Sequence, residues 1–421
     1  MSTDGLAAHA ERGASGPTAV SGTRRSQLAA TVRAHPIATV FVVALVVRVL
    51  MAIVFFVLGV NARIAPDSGL YLRVAEHLAG VRSGSWGRQD AWYRDHYATY
   101  VYPVSVLFRV FGPHEILAQL VAAVFGAIAA AATTRLATEI LPTMWALAVG
   151  AVVAFYPSMS IWSAVPLRDS AVWACTACLA LAVMLLARAR SPVRFALLAS
   201  AIAASLFLLG HLRVTGLCIA GIALVIQAIF GPMRYRLATI AMAIGLALVV
   251  PMLVGLGLGP GGINFITSQD LGYQRAHLAG RVPSVNSGVT YDVESAFESG
   301  GSSDLAHIPQ GLKDILLEPL PWTSLHGETV TLGRLESPLW WALVLASLTG
   351  VPLLWRTRRV LGFPALYAAG LLMVLVLAEG NFGTAYRHRA ELIWPMALLA
   401  GAGLHAMWER RSQRRREAVA A

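Results

Sequence analysis

Charge is scarce in this chain. Only 13% of its 421 residues are Asp, Glu, Lys or Arg, while 57% are hydrophobic, and the mean hydropathy is +0.64. Soluble domains carry about 25% charged residues, so an ordinary soluble fold is excluded and the chain reads as an integral membrane protein. Cysteine is nearly absent too. Cys175, Cys178 and Cys218 each fall inside an apolar run, which excludes a disulfide framework. The C-x-x-C spacing of Cys175 and Cys178 lies in a membrane segment, where thiols serve packing rather than redox chemistry. Lys313 is the only lysine, a coding bias rather than a physical constraint. There is no internal repeat, Walker motif or glycine-rich dinucleotide loop, so ATP-driven work has no site. The net charge is +11, yet the basic residues sit in short loops between apolar runs. A nucleic-acid binder would gather them on a soluble domain.

What the chain does have is apolar runs. A membrane helix needs about 20 mostly apolar residues. Ten segments qualify: Pro36–Val60, Ile116–Leu136, Met144–Val165, Ser170–Ala187, Phe195–Gly210, Val214–Phe230, Leu237–Leu258, Pro338–Trp355, Val360–Ala378 and Leu392–Trp408. The fifth and sixth are short and turn at Gly210-His211-Leu212-Arg213. With both termini in the cytoplasm, the inside segments hold 18 basic and five acidic residues, and the outside segments 14 basic and 17 acidic. That asymmetry follows the positive-inside rule. The expected fold is all-α and polytopic, with about ten transmembrane helices. Residues 1–35 form a polar cytoplasmic tail expected to be disordered, with no cleavable signal after it, and residues 409–421 a basic cytoplasmic tail.

Two outer regions are large, residues 61–115 and 259–337. The first opens on Ile64-Ala65-Pro66-Asp67-Ser68-Gly69-Leu70-Tyr71. Pro66 ends what precedes it, and Asp67 or Ser68 can cap a helix whose Leu70, Val74 and Leu78 share one face, with Tyr71 and Ala75 beside them. Trp86, Trp92, Tyr93, Tyr97, Tyr100 and Tyr102 follow, suited either to the headgroup layer or to stacking on sugar rings, and then a second amphipathic piece, Pro103–Phe111. In the second region, Leu312–Trp322 reads as a short surface helix closed by prolines, after flexible tracts at Gly259–Gly262 and Ser299–Ser303.

Ionisable groups at membrane depth are functional candidates by default. Here they gather at the outer ends of the spans: Asp67, Arg168-Asp169, His211-Leu212-Arg213, and the stretch from Glu379 to Glu391 that contains Tyr386-Arg387-His388-Arg389. Arg168, His211, Arg213, Tyr386, Arg387, His388 and Arg389 are candidates for holding a phosphate, arginine by its planar fork. Asp67 and Asp169 are candidates for accepting a proton from a nucleophile. The competing reading is that these residues snorkel, cap helices or pair with one another, as Arg168 with Asp169. Arg48, a third of the way into the first span, is expected to have a structural partner or to snorkel inward.

With Arg48, Pro66-Asp67-Ser68-Gly69-Leu70-Tyr71, Tyr156-Pro157, Pro166-Leu167-Arg168-Asp169 and His211-Leu212-Arg213 in view, residues 36–230 resemble the GT-C membrane glycosyltransferases. The similarity is to the dolichyl-phosphate-mannose protein mannosyltransferase and aminoarabinose transferase group. The resemblance implies a GT-C-like module over residues 36–258, with the catalytic loop at 61–115; the C-terminal helices over 338–408 are read from the apolar runs alone. It implies Asp67 as catalytic base and Asp169 as the second required acid. It also implies polyprenyl-phosphate sugars as donors, a glycan, lipid or protein acceptor, and a plasma-membrane enzyme working on the extracytoplasmic face. This chain has Ser68 where many members carry a second acid. A lone carboxylate is a poor divalent site, which weighs against a metal requirement without removing it, and no cofactor is assigned. Two rival readings are an O-antigen-type polymerase or ligase acting on undecaprenyl diphosphate-linked glycans, and a lipid or glycan transporter.

Overall fold

The computed structural model describes residues 26–27, 30–253, 301–320, 322 and 328–420, and every regular element among them is a helix. In order they are α1 (Pro36–Leu58), α2 (Asn61–Ile64), α3 (Ser68–Ala79), α4 (Arg88–His96), α5 (Ala98–Phe111), α6 (Glu115–Ala137), α7 (Thr143–Phe155) and α8 (Pro157–Trp162). Then follow α9 (Asp169–Leu186), α10 (Pro192–Gly210), α11 (Val214–Phe230), α12 (Arg236–Leu253), α13 (Gly301–Leu316), α14 (Glu328–Leu348), α15 (Leu354–Ala378), α16 (Phe382–Arg389) and α17 (Ile393–Ala420). Six stretches are long and apolar enough to cross a membrane: Pro36–Leu58, Glu115–Ala137, Asp169–Leu186, Pro192–Gly210, Val330–Ala378 and Phe382–Ala420. The protein is therefore membrane-embedded. Each of the ten apolar segments falls largely on helix, with breaks within Met144–Val165 and Pro338–Trp355; the end of the seventh, past Leu253, lies outside the described residues.

The centre is built from α1, α6 and α9, packed side by side, with α7, α10, α15 and α17 around them. Small residues make this possible. Ala118, Ala122, Ala123, Ala127, Ala129 and Ala130 of α6 are buried, so the backbones approach closely without large side chains to interlock. At Gly126 the approach is closest: a Cβ there would lie 2.4 Å from Arg48 Nε and 2.8 Å from Ser163 Cβ.

Arg48 finds the structural partner expected of it. Its Nη1 donates to the carbonyls of Ala44 (3.1 Å) and Ala154 (3.0 Å), and Nη2 to that of Val153 (3.0 Å). The local cause is Pro157. It has no N–H to close the next turn, so the segment Met144–Val165 is not one helix but two, α7 and α8, meeting at Tyr156. The carbonyls left open at the end of α7 need donors inside the bundle, and Arg48 supplies them.

Three further expectations change. Asp67 sits at the N-cap position of α3, but its side chain makes no capping bond. The buried face of α3 is Ser68, Tyr71, Val74 and Ala75, shifted from the Leu70–Val74–Leu78 stripe to the Tyr71–Ala75 side beside it, where the aromatic rings of Tyr93, Tyr97 and Tyr100 close on Tyr71 at 5.2–5.7 Å. The helix expected over Leu312–Trp322 instead spans Gly301–Leu316, so Gly301, Ser302 and Ser303 open a helix rather than belonging to a flexible tract. α13 lies tightly on α15: a Cβ at Gly311 would stand 2.1 Å from the Val376 carbonyl oxygen. The Gly259–Gly262 tract, with the rest of 254–300, lies outside the described residues.

Candidate active site

The ends of α1, α9, α11 and α15 nearest the first loop carry the ionisable groups that the sequence places on one face. α16 brings the rest. Asn381 caps it, its Oδ1 accepting from Thr384 N–H at 3.1 Å. Phe382, Ala385, Tyr386 and Arg389 form its buried face, at i, i+3, i+4 and i+7. The cationic row is thereby divided. Arg389 points into the protein, where Nη1 donates to the Glu318 carbonyl (2.8 Å) and the guanidinium lies 5.1 Å from the ring centroids of both Trp340 and Tyr386. Tyr386 OH donates to Glu336 Oε2 (2.9 Å), whose carboxylate also accepts from Ser158 N–H and Oγ–H. Arg387 and His388 face the other way.

Arg387 is the hinge of the site. Its Nη1 donates to Asp67 Oδ2 at 3.2 Å, and its Nε stands 3.7 Å from Asp169 Oδ2. Asp169 Oδ1 accepts from Arg213 Nη2 at 2.7 Å, Arg213 Nη1 donates to Glu391 Oε2 at 2.6 Å, and Tyr367 OH donates to Glu391 Oε1. One continuous chain of paired charges thus runs Asp67–Arg387–Asp169–Arg213–Glu391, ending on Tyr367. It passes from surface to interior: the Asp67 side chain is 48% exposed, while Asp169 is 2% and Glu391 0% exposed. Asp67 is therefore the solvent-accessible carboxylate of this chain of charges, and the buried members lie behind Arg387.

Asp169 pairs with Arg213 rather than with its neighbour Arg168. The Arg168 guanidinium instead donates to the Leu212 carbonyl and lies 3.7 Å over the Tyr97 ring centroid, a cation–π contact. His211 Nδ1 lies 2.8 Å from the Asp95 carbonyl oxygen, which ties the tip between α10 and α11 to the first loop. The structure thus gathers Asp67, Asp169, Arg168, Arg213, Arg387 and His388 at one end of the bundle. Tyr386 and Arg389 belong to the interior beneath it. Glu379 and Glu391 bound the candidate stretch but carry no assigned role in the sequence reading, while Tyr367 and Glu336 are not singled out there at all. Glu391 closes the stretch containing the cationic row, so its proximity was visible; Tyr367 sits in an apolar run with no such signal.

His388 Nδ1 and Glu379 Oε2 lie 3.0 Å apart. Glu379 occupies the link between α15 and α16, and burial pushes its carboxyl up from the ordinary 4.5 to about 8, against the opposing pull of Arg387 and Arg213. Below that pH the carboxyl keeps its proton and can donate to His388. The folded state then binds a proton that the unfolded chain has released, so Glu379 makes stability fall as pH rises from about 4.5 to about 8. Glu379→Gln is expected to flatten that slope. Thermal unfolding of the detergent-solubilised protein across the window measures it, and identical slopes in both proteins would remove Glu379 as the cause.

Fold and site together define a class: a helical membrane protein with a chain of paired acids and arginines at one end of its bundle, whose outermost member among the described residues is the half-exposed Asp67. No protein-family model and no curated protein matches the chain. Among solved structures, it is similar to the archaeal oligosaccharyltransferase AglB from Archaeoglobus fulgidus, determined in complex with an inhibitory peptide and a dolichol-phosphate. The identity is 12% and the TM-score 0.49, and the match covers 93% of this chain and 52% of that one. The chain spans about half the length of that protein.

Proposed function

We propose that this chain is a GT-C-like membrane glycosyltransferase that moves a sugar from a polyprenyl-phosphate donor to an acceptor hydroxyl or amine. In this reading ten spans cross the bacterial plasma membrane with both termini inside, and the Asp67 end faces out. The module over residues 36–258 carries the reaction, with the outer loop 259–337 and the helices over 338–408 completing it. The observation that carries the reading is the half-exposed Asp67 carboxylate held by Arg387, itself braced by buried Asp169.

Asp67 accepts the proton of the acceptor as its oxygen or nitrogen attacks the anomeric carbon. The bond from that carbon to the phosphate oxygen breaks, and the lipid phosphate leaves with the electron pair. Negative charge grows on the departing phosphate, so cations already in position stabilise the transition state most. Arg387 and Arg168, each partly exposed at this end, are the cations for that task, with His388 and His211 beside them as hydrogen-bonding groups. Arg213, Tyr386 and Arg389 are turned to internal partners and act by positioning. The exposed rings of the first loop, Trp86, Trp92 and Tyr102, offer stacking faces for a sugar ring.

Transfer assays with purified protein in nanodiscs test the reading. We expect turnover with a polyprenyl-monophosphate sugar, and an EDTA arm reads whether a divalent metal takes part. Turnover only with diphosphate-linked oligosaccharides would replace it with a polymerase or ligase. Binding of every donor without turnover would replace it with a transporter.

A further inference from the structure

The end of the bundle away from Asp67 holds a second collection of charge. The same helices connect the two ends. α9 runs from Asp169 to Leu186, with Arg188 just beyond; α11 begins after Arg213 and ends before Pro232; α15 carries Arg356, Arg358 and Arg359 in its first two turns and ends before Glu379. At 1.5 Å per residue, α9 alone separates the ends by about 27 Å. No Asp, Glu, Lys, Arg or His lies between Ser170 and Ala187, between Val214 and Phe230, or between Val360 and Ala378. The two collections are therefore separate sites and not the mouths of one polar path.

Between these far ends lies a cavity of about 360 Å³, lined by Glu139, Arg188, Pro232, Arg356, Arg358 and Arg359 among others. Its walls are pinned. Gln227 Nε2 of α11 donates to the Arg358 carbonyl of α15 at 2.9 Å, and a Cβ at Gly362 would lie 2.2 Å from Gln227 Oε1. Glu139 is the one acid in the lining, and it is already committed: it pairs with both Arg135 and Arg188. Burial opposes its ionisation, but the two guanidiniums outweigh burial and hold the carboxyl below its usual range. One negative charge thus serves two arginines, and Arg356, Arg358 and Arg359 add three more positive charges. Arg358 donates through Nη1 to the Trp355 carbonyl and lies 4.2 Å from the Trp355 ring centroid, while its buried Nε has no hydrogen-bond partner. Trp355 itself is 69% exposed, the placement of an aromatic at headgroup depth.

Clustered guanidiniums around a pinned cavity, with one acid already shared and one buried N–H unused, form a receptor for an oxyanion that the planar fork of arginine can grip. We propose that this cavity binds a phosphate group, carried either by the headgroup of an anionic phospholipid or by a free phosphate ester or pyrophosphate. Basic pockets between membrane helices recognise such headgroups. The site is independent of the transfer reaction, so its test reads binding alone.

The test uses the full chain in phosphatidylcholine nanodiscs doped with phosphatidylglycerol or cardiolipin, with bound lipid counted by native mass spectrometry. Calorimetry with inorganic pyrophosphate in undoped nanodiscs is the second arm. Arg356→Gln/Arg359→Gln alters two exposed lining residues, and Arg410→Gln/Arg414→Gln alters two exposed arginines of α17 outside the cavity. Wild type is expected to retain the anionic lipid over phosphatidylcholine. The cavity variant should lose about 30-fold in affinity, at roughly a factor of five per arginine, with the α17 variant unchanged. Retention of pyrophosphate instead, lost in the cavity variant, supports the same site with a soluble ligand. No binding of either probe, or equal losses in both variants, would overturn the proposal, the second outcome by showing only diffuse surface attraction. Size-exclusion profiles confirm that each variant is folded.

Discussion

Asp67→Asn is expected to lower sugar transfer by about 10²–10⁴-fold, the usual worth of a positioned proton acceptor, while leaving the protein folded. The amide keeps the size of the carboxylate and can still accept from Arg387, so the Asp67–Arg387 contact at 3.2 Å survives in weaker form. What it loses is the capacity to take a proton. Stability should barely change, because the Asp67 side chain is about half exposed and caps no helix, and an exposed ion pair contributes only about 0–1 kcal/mol. Initial rates with a polyprenyl-monophosphate donor, alongside a melting curve, separate the two effects. A variant that turns over at the wild-type rate would end the assignment of Asp67 as base. A variant that melts far below wild type would make Asp67 a structural residue.

Arg213→Met should do the opposite: a large loss of stability from a residue that touches no substrate. Arg213 bridges Asp169 and Glu391, both buried, at 2.7 and 2.6 Å. Removing it strands two carboxylates away from water. Breaking a buried pair from one side costs about 3–5 kcal/mol, chiefly because the remaining charge is uncompensated. Arg387, at 3.7 Å from Asp169, softens the loss on that side; nothing comparable reaches Glu391 beyond Tyr367. The triple variant Asp169→Asn/Arg213→Met/Glu391→Gln removes the stranded charges and should recover most of the lost stability. It should not recover activity, since Arg387 then lacks the brace that holds it toward Asp67. Thermal unfolding in detergent reads both, and a single variant as stable as wild type would show that the buried chain does not hold the bundle end together.

Sequence carried some of this chain a long way. The apolar runs and the arginine asymmetry dictate an all-helical membrane protein, because an unpaired backbone cannot cross a bilayer and helices pair their own. Tyr156-Pro157 signals a break, since proline cannot donate to the turn before it. Asp67, Asp169, Arg168, Arg213, Arg387 and His388 could be picked out as one-sided, because charge at a span end is costly enough to be rare.

The pairing of those residues was not legible. Asp67 and Arg387 are 320 positions apart, and no local periodicity links them. The row Tyr386-Arg387-His388-Arg389 reads as a uniform cationic patch, yet helical rotation of about 100° per residue turns Arg389 inward and Arg387 outward. Arg48 was visible as an anomaly, but its partners are carbonyls exposed only once α7 stops short. Glu391 and Tyr367 acquire meaning only by converging on Arg213. By itself, then, the sequence determined which groups had to be sheltered and roughly at which end of the spans, because burial costs are properties of residue type. Only the tertiary structure decided which acid meets which arginine and which carboxylate stays in contact with water, because ion pairing depends on distances that the packing of whole helices sets.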